Sequence, residues 1–233
     1  MSRGGRVAQT SKAGHQVGDA VAPRRVAVVK KSSAIEQLQT HPDAKLARAL
    51  QEGQPVAHRV TQAHREHVSS LTQVLADLAA RGIDHRVATA LSRRLAAWAD
   101  LVVTVGGDGT FLSASHAIAA GDRGDGPPML GVNSAPSSSI GYFCACDGEG
   151  FGALLDDLGA SRLRSRPLWR MQVAINDIAL RDLALNDVLL AHRVPAETTR
   201  YMLQLNGACQ DHKSSGIWVA TAAGSTAAIR SAG

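Results

Sequence analysis

From Val26 onward the chain alternates short β-branched runs with longer stretches whose apolar residues recur at helical spacing. Val26-Ala27-Val28-Val29, just after Pro23, predicts a first strand. Val68, Leu71, Leu75 and Leu78 recur in steps of three and four residues and Gly82 supplies a stop, which predicts a helix over about 64–81. A strand at Asp84–Ala88 and a helix over 90–98 follow. Leu101-Val102-Val103-Thr104-Val105 is nearly continuous in apolar character, as expected of a strand buried on both faces. A glycine-rich turn, a helix at about 110–120, a loop over Gly121–Pro128 and a strand at Met129–Val132 complete a βαβα order.

Past a helix predicted near 148–158 the pattern changes. Trp169, Met171, Val173 and Ile175 alternate with Arg170, Gln172 and Ala174, predicting a strand, and Asn206-Gly207 predicts a hairpin turn between strands 199–205 and 208–213. The expected fold is therefore α/β: a doubly wound parallel-sheet domain over 25–160, then a mostly antiparallel β domain over 161–233. No internal repeat is visible.

Composition sharpens this picture. The chain has 233 residues, 45% hydrophobic and 19% charged, with a net charge of +5. No apolar run approaches the ~20 residues of a membrane helix, so no membrane association is expected. Arg3, Arg6, Lys12, Arg24, Arg25, Lys30 and Lys31 against Asp19 give +6 before residue 32, leaving −1 for the rest. The basic character thus belongs to an arm, residues 1–24, whose Gly-, Ser- and Ala-rich sequence predicts disorder. With only 3% aromatic residues to stack bases, a nucleic-acid partner is not expected. An odd set of cysteines, Cys144, Cys146 and Cys209, argues for a reducing compartment, and no signal-peptide core is present. A cytoplasmic location is expected; the Arg-rich, acid-poor start offers the mitochondrial matrix as the alternative. Cys144-x-Cys146 lacks a second pair to complete a metal site, and His64 with His67 lacks a third ligand, so no metal site is predicted.

The chemistry concentrates at Gly106-Gly107-Asp108-Gly109-Thr110, where the buried strand gives way to a helix. That edge of an α/β sheet is where ligands bind, and the turn aims backbone N–H groups at an anion. The order is neither a dinucleotide fingerprint nor a Walker loop. Its central carboxylate would repel a phosphate, so Asp108 reads as a proton acceptor or metal partner, or else as part of an Asp-Gly turn.

Gly106–Thr110 resembles the signature of the NAD kinase and diacylglycerol kinase-like superfamily. Gly131-Val132-Asn133 with Ile140-Gly141-Tyr142-Phe143, then Leu185-Asn186-Asp187-Val188, then Ala220-Thr221-Ala222-Ala223-Gly224-Ser225-Thr226-Ala227 resemble in order the further motifs of the NAD kinase family. The resemblance implies phosphoryl transfer from ATP, with Mg²⁺, or from polyphosphate, to the adenosine-ribose 2′-hydroxyl of NAD, giving NADP. It implies Asp108 as catalytic base and Gly106, Gly107, Gly109 and Thr110 at the phosphates. It further implies Asn133, Tyr142, Asn186 (adenine), Asp187 (ribose hydroxyls), Thr226, Ala227 and Ser231 around NAD, and a homodimer.

Departures from the family pattern are Ala222, Ala223 and Ala228 in the last motif, Ser215-Gly216 where an Asp-Gly is common, and a longer Asn133–Ile140 loop. The last two resemble the mitochondrial-type branch. The family continues beyond the position of Gly233, so the β domain is expected to be incomplete at its C-terminus. A lipid kinase of the same superfamily, or a nucleotide-binding module without turnover, are the alternatives.

Overall fold

The computed structural model describes residues 22–118, 126–194 and 196–232. The expectation of a disordered arm therefore falls, apart from residues 22–24, outside the described residues, as do the far end of the predicted 110–120 helix and most of the loop after it. Five parallel strands form the central sheet: β1 (Arg25–Lys30), β2 (Asp84–Ala88), β3 (Leu101–Gly106), β4 (Met129–Asn133) and β5 (Cys144–Asp147), in the order β2-β1-β3-β4-β5. The strand order reverses between β1 and β3, which opens a crevice at their C-terminal ends.

Helices cover both faces, as a doubly wound sheet requires. On one face α3 (Pro55–Ala80) and α6 (Phe151–Gly159) set Val74, Leu78, Phe151 and Leu155 against Val26, Val28, Val103, Val105 and Val132. On the other, α4 (Arg93–Trp98) and α5 (Asp108–Ser115) pack Trp98 and Ala114 against Ala27, Val29 and Val102. Successive residues of β1 and β3 feed opposite clusters, which is why both strands read as unbroken apolar runs. No helix among the described residues is long and apolar enough to cross a membrane.

Two short helices, α1 (Ala34–Thr40) and α2 (Ala44–Gln51), precede α3 and were not predicted. Ser33 and Glu36 form a reciprocal capping box at the start of α1, a signal visible in the sequence as Ser-x-x-Glu. Helix α3 begins nine residues earlier than its apolar spacing suggested, with Pro55 in its first turn.

His64 and His67 of α3 separate in role. The Ser33 hydroxyl meets His64 Nδ1 at 2.7 Å. His67 is 1% exposed, and neither ring nitrogen has a partner. Burial, reinforced by Lys31, pushes the His67 imidazolium down from its ordinary 6.5 to about 4. Between these values the unfolded chain binds a proton that the folded chain refuses, so stability should fall as pH drops through this window. Glu36 is held at about 2, first by the Lys30 ammonium at 2.5 Å, and its contribution disappears only from about 4.5 downward. Urea titrations of wild type and His67→Leu at pH 7 and pH 5 should show the wild type losing more stability between the two; equal losses would refute this role.

After α6 the strands are short and antiparallel: β6 (Ala174–Ile175) with β7 (Ile178–Ala179), β9 (Thr199–Leu205) with β10 (Ala208–Ser214), and β8 (Asp187–Leu190) with β11 (Ile217–Ala220). The Asn206-Gly207 hairpin is present, both residues at positive φ. The strand expected over Trp169–Ile175 is not: Met171 makes a single bridge to Ala184, and Ala174–Ile175 turn back through Asn176-Asp177 at positive φ. Trp169 is 79% exposed, so the alternation there marks no buried face. A 3₁₀ turn (Ala223–Thr226) and α7 (Ala228–Ala232) end the described chain.

Candidate functional site

The Gly106–Thr110 turn sits where β3 meets α5, beside the crevice. Gly106 pairs with Asn133 across the sheet, and a side chain at Gly106 would collide with the Thr110 hydroxyl. The Thr110 and Phe111 amides turn back to the Gly107 carbonyl at 3.0 and 3.3 Å. Those of Asp108 and Gly109, earlier in the first turn, remain available to an anion.

Asp108 is already engaged. Its Oδ1 accepts from the Phe143 amide at 2.8 Å and its Oδ2 from the Tyr142 amide at 3.0 Å. A carboxylate has about four acceptor positions, so room remains for a hydroxyl. Phe143 stacks on Phe111 with centroids 5.1 Å apart, while Tyr142, 58% exposed, meets Phe143 edge-on. Cys144 lies beneath this loop, its Sγ 3.8 Å from the Gly106 carbonyl. Burial pushes the Cys144 thiol up to about 11 and the Cys146 thiol to about 12, so both stay protonated and unreactive at neutral pH.

Asn133 is buried and structural in its contacts. Its Nδ2 donates to Ser139 O at 2.8 Å and its Oδ1 accepts from the Ala135 amide at 3.2 Å. It thereby folds the 134–140 loop back over Gly107, against which Ser139 rests.

Asn186 and Asp187 stand elsewhere, facing the far half of α5. With Ala184, Leu185, Ala227, Ala228, Leu112 and Ser115 of α5 and its C-cap His116 they line a cleft of about 250 Å³. Adjacent residues of a strand point to opposite faces, yet both line this cleft because Asn186 precedes β8. Its carbonyl accepts the Thr221 amide at 2.8 Å, and Gly224 is pressed so closely on that carbonyl that any side chain there would displace backbone. Asn186 Oδ1 and Asp187 Oδ2 are buried without a hydrogen-bond partner. Buried acceptors are nearly always paired, so two orphans in one cleft point to donors from outside.

Asp108, Leu112 and Ser115 are spaced i, i+4 and i+7 and share one face of α5. The Asp108 carboxylate and the cleft therefore lie along the same side, Leu112 ~6 Å of helix rise beyond Asp108. Thr226 is exposed at the end of the 3₁₀ turn beside Ala227, and Ser231 lies in α7. Leu112, Ser115 and His116 were missed; helical spacing from Asp108 would have found the first two. Arg170, read from the sequence as a polar position of an alternating strand, donates to the Ser115 and Ile118 carbonyls at 2.8 and 3.1 Å, closing the C-terminal end of α5.

A larger hollow of about 540 Å³ between α2 and α3, lined by Leu50, Ala57, His58, Thr61, Gln62 and Arg65, carries no orphaned buried acceptor. Among the described residues no group of three or more His, Cys, Asp or Glu could hold a metal ion.

The sheet order and the loop at its ligand edge define an α/β protein of the kind that binds ligands across a parallel-sheet crevice. Its fold is similar to that of an NAD kinase from Archaeoglobus fulgidus solved in complex with ATP, with a TM-score of 0.56 over 90% of this chain and 65% of that one at 23% identity. The family described as the ATP-NAD kinase N-terminal domain matches residues 13–160, and the chain belongs to that family. A probable NADH kinase of Oryza sativa subsp. japonica is 40% identical over 156 residues, covering 58% of this chain and 46% of the relative. An NADH kinase of Arabidopsis thaliana is 39% identical over 156 residues, 58% and 48%. The chain thus spans about half the length of these curated relatives.

Proposed function

We propose that the chain provides the catalytic turn and the adenosine cleft of a kinase that transfers the γ-phosphoryl group of ATP to the adenosine-ribose 2′-hydroxyl of NAD or NADH. The observation that carries this reading is the pair of orphaned buried acceptors. Asp187 Oδ2 is suited to a ribose hydroxyl and Asn186 Oδ1 to an adenine amino group, both of which donate. The cleft has room for one nucleoside rather than a whole dinucleotide, so the rest of the substrate would extend along α5 toward Gly106–Thr110.

In this reading the free amides at the start of α5 hold phosphate oxygens, and Asp108 accepts the hydroxyl proton as the 2′-oxygen attacks the γ-phosphorus and the bond from that phosphorus to the bridging oxygen breaks, releasing ADP. The Tyr142 and Phe143 amides fix the carboxylate while its unused lone pairs face the substrate. Mg²⁺ would arrive as the ATP complex, since among the described residues no group of His, Cys, Asp or Glu forms a cage for it. The names of the two plant relatives favour the reduced dinucleotide as acceptor. Incubation with ATP and Mg²⁺ and either NAD or NADH should yield the 2′-phosphorylated product, faster with NADH. Phosphorylation of diacylglycerol in place of both would overturn the reading in favour of a lipid kinase.

A further inference from the structure

We propose that Glu66 of α3 is a positioning residue that anchors the 134–140 loop above the Gly106–Thr110 turn, a role that rests on the kinase reading above. Glu66 Oε1 accepts from the Ser137 hydroxyl at 2.6 Å and from Gln62 Nε2 at 2.9 Å. Its Oε2 is buried without a partner. One turn along α3, the Ser70 hydroxyl donates to the Ser134 carbonyl at 3.5 Å, and the Ser134 amide donates to the Gly106 carbonyl at 3.1 Å. Residues 136–138 are otherwise exposed, serine-rich loop, the kind of segment that stays mobile unless tied down.

The consequence of the tie runs along the chain. Between Ser137 and Asp108 the loop carries Ser139, which rests on Gly107 and is gripped by Asn133 Nδ2 at 2.8 Å. It then turns at Gly141, with φ +66°, and presents the Tyr142 and Phe143 amides to the Asp108 carboxylate. The Ser137 and Gln62 hydrogen bonds hold the Glu66 carboxyl below its usual range, so it remains an acceptor at neutral pH. Glu66 touches neither the turn nor the cleft. It acts by fixing where the loop delivers its amides.

Four variants test this: Glu66→Ala, Glu66→Gln, Ser137→Ala and the double Glu66→Ala/Ser137→Ala, each measured for kcat, KM, melting temperature and amide hydrogen exchange over 134–143. Glu66→Ala should lower kcat ~10-fold or more with little change in KM, because small misplacements of a reacting group are costly in rate. Ser137→Ala should do the same, and the double variant should be no worse than the poorer single, as expected of one shared bond. Glu66→Gln keeps an oxygen that accepts from Ser137 and should restore most of the rate. Exchange at Ser139, Tyr142 and Phe143 should quicken in Glu66→Ala. Additive losses, a kcat within about twofold of wild type in Glu66→Ala, or unchanged exchange at those amides would overturn the assignment. Quickened exchange in a chain whose wild type gives no turnover would overturn the kinase reading and leave the anchor standing.

Discussion

Asp108→Asn should lower the rate of phosphoryl transfer to NAD or NADH by ~10²–10⁴-fold, the usual worth of a general base. The expected result has a second, structural part. The carboxylate accepts from two main-chain amides, at 2.8 Å from Phe143 and 3.0 Å from Tyr142. An asparagine can accept only one of these and turns an N–H₂ group toward the other, a donor facing a donor. Hydrogen bonds to a charged group are worth ~1.5–3 kcal/mol each, so the variant should also loosen the 140–143 loop, visible as faster amide exchange there. Dinucleotide affinity should change little, because the orphaned acceptors of the cleft lie further along α5. A variant retaining more than about a tenth of the wild-type rate would miss the lower bound for a base and leave Asp108 as the anchor of its loop alone.

Asp187→Ala should weaken NAD and NADH binding by on the order of 100-fold, taking ~3 kcal/mol for hydrogen bonds from ribose hydroxyls to a carboxylate. The same substitution should leave the melting temperature unchanged or raise it. Asp187 Oδ2 is buried without a hydrogen-bond partner from the protein, so its removal relieves a desolvation cost rather than breaking a contact. Asp187→Glu keeps the carboxylate and should keep most of the affinity. Calorimetric titration alongside thermal melts separates the outcomes: equal affinity in wild type and Asp187→Ala, or a marked drop in stability, would make this residue structural.

Strands β1 and β3 were legible because burial on both faces writes itself as unbroken Val-rich runs, and β2 fell at its predicted ends; the edge strand β5, Cys-Ala-Cys-Asp with alternate residues exposed, was not predicted. The short helices were not, although Ser33 and Glu36 carried a capping signal, because α1 has no fully buried residue and hence no apolar period. After residue 160 the strands are brief and their apolar side chains stay largely exposed, Ile175 at 59% and Ile178 at 71%, so alternation there carried little information. The candidate site shows the same division. Gly106–Thr110 is a local turn and reads from sequence, whereas the double anchoring of Asp108 joins residues 34 and 35 positions apart. Likewise, the setting of Asn186 depends on Gly224, whose lack of a side chain admits the Asn186 backbone, a long-range contact that no periodicity records.

The most direct test of the central claim is to titrate isotopically labelled protein with NAD and with NADH and follow its backbone amide resonances. The largest shifts should fall on Asn186, Asp187 and Ala227 and on Leu112 and Ser115 of α5, with His58, Thr61 and Arg65 in the larger hollow unmoved. Shifts confined to that hollow, or none with dinucleotide in large excess, would contradict the account.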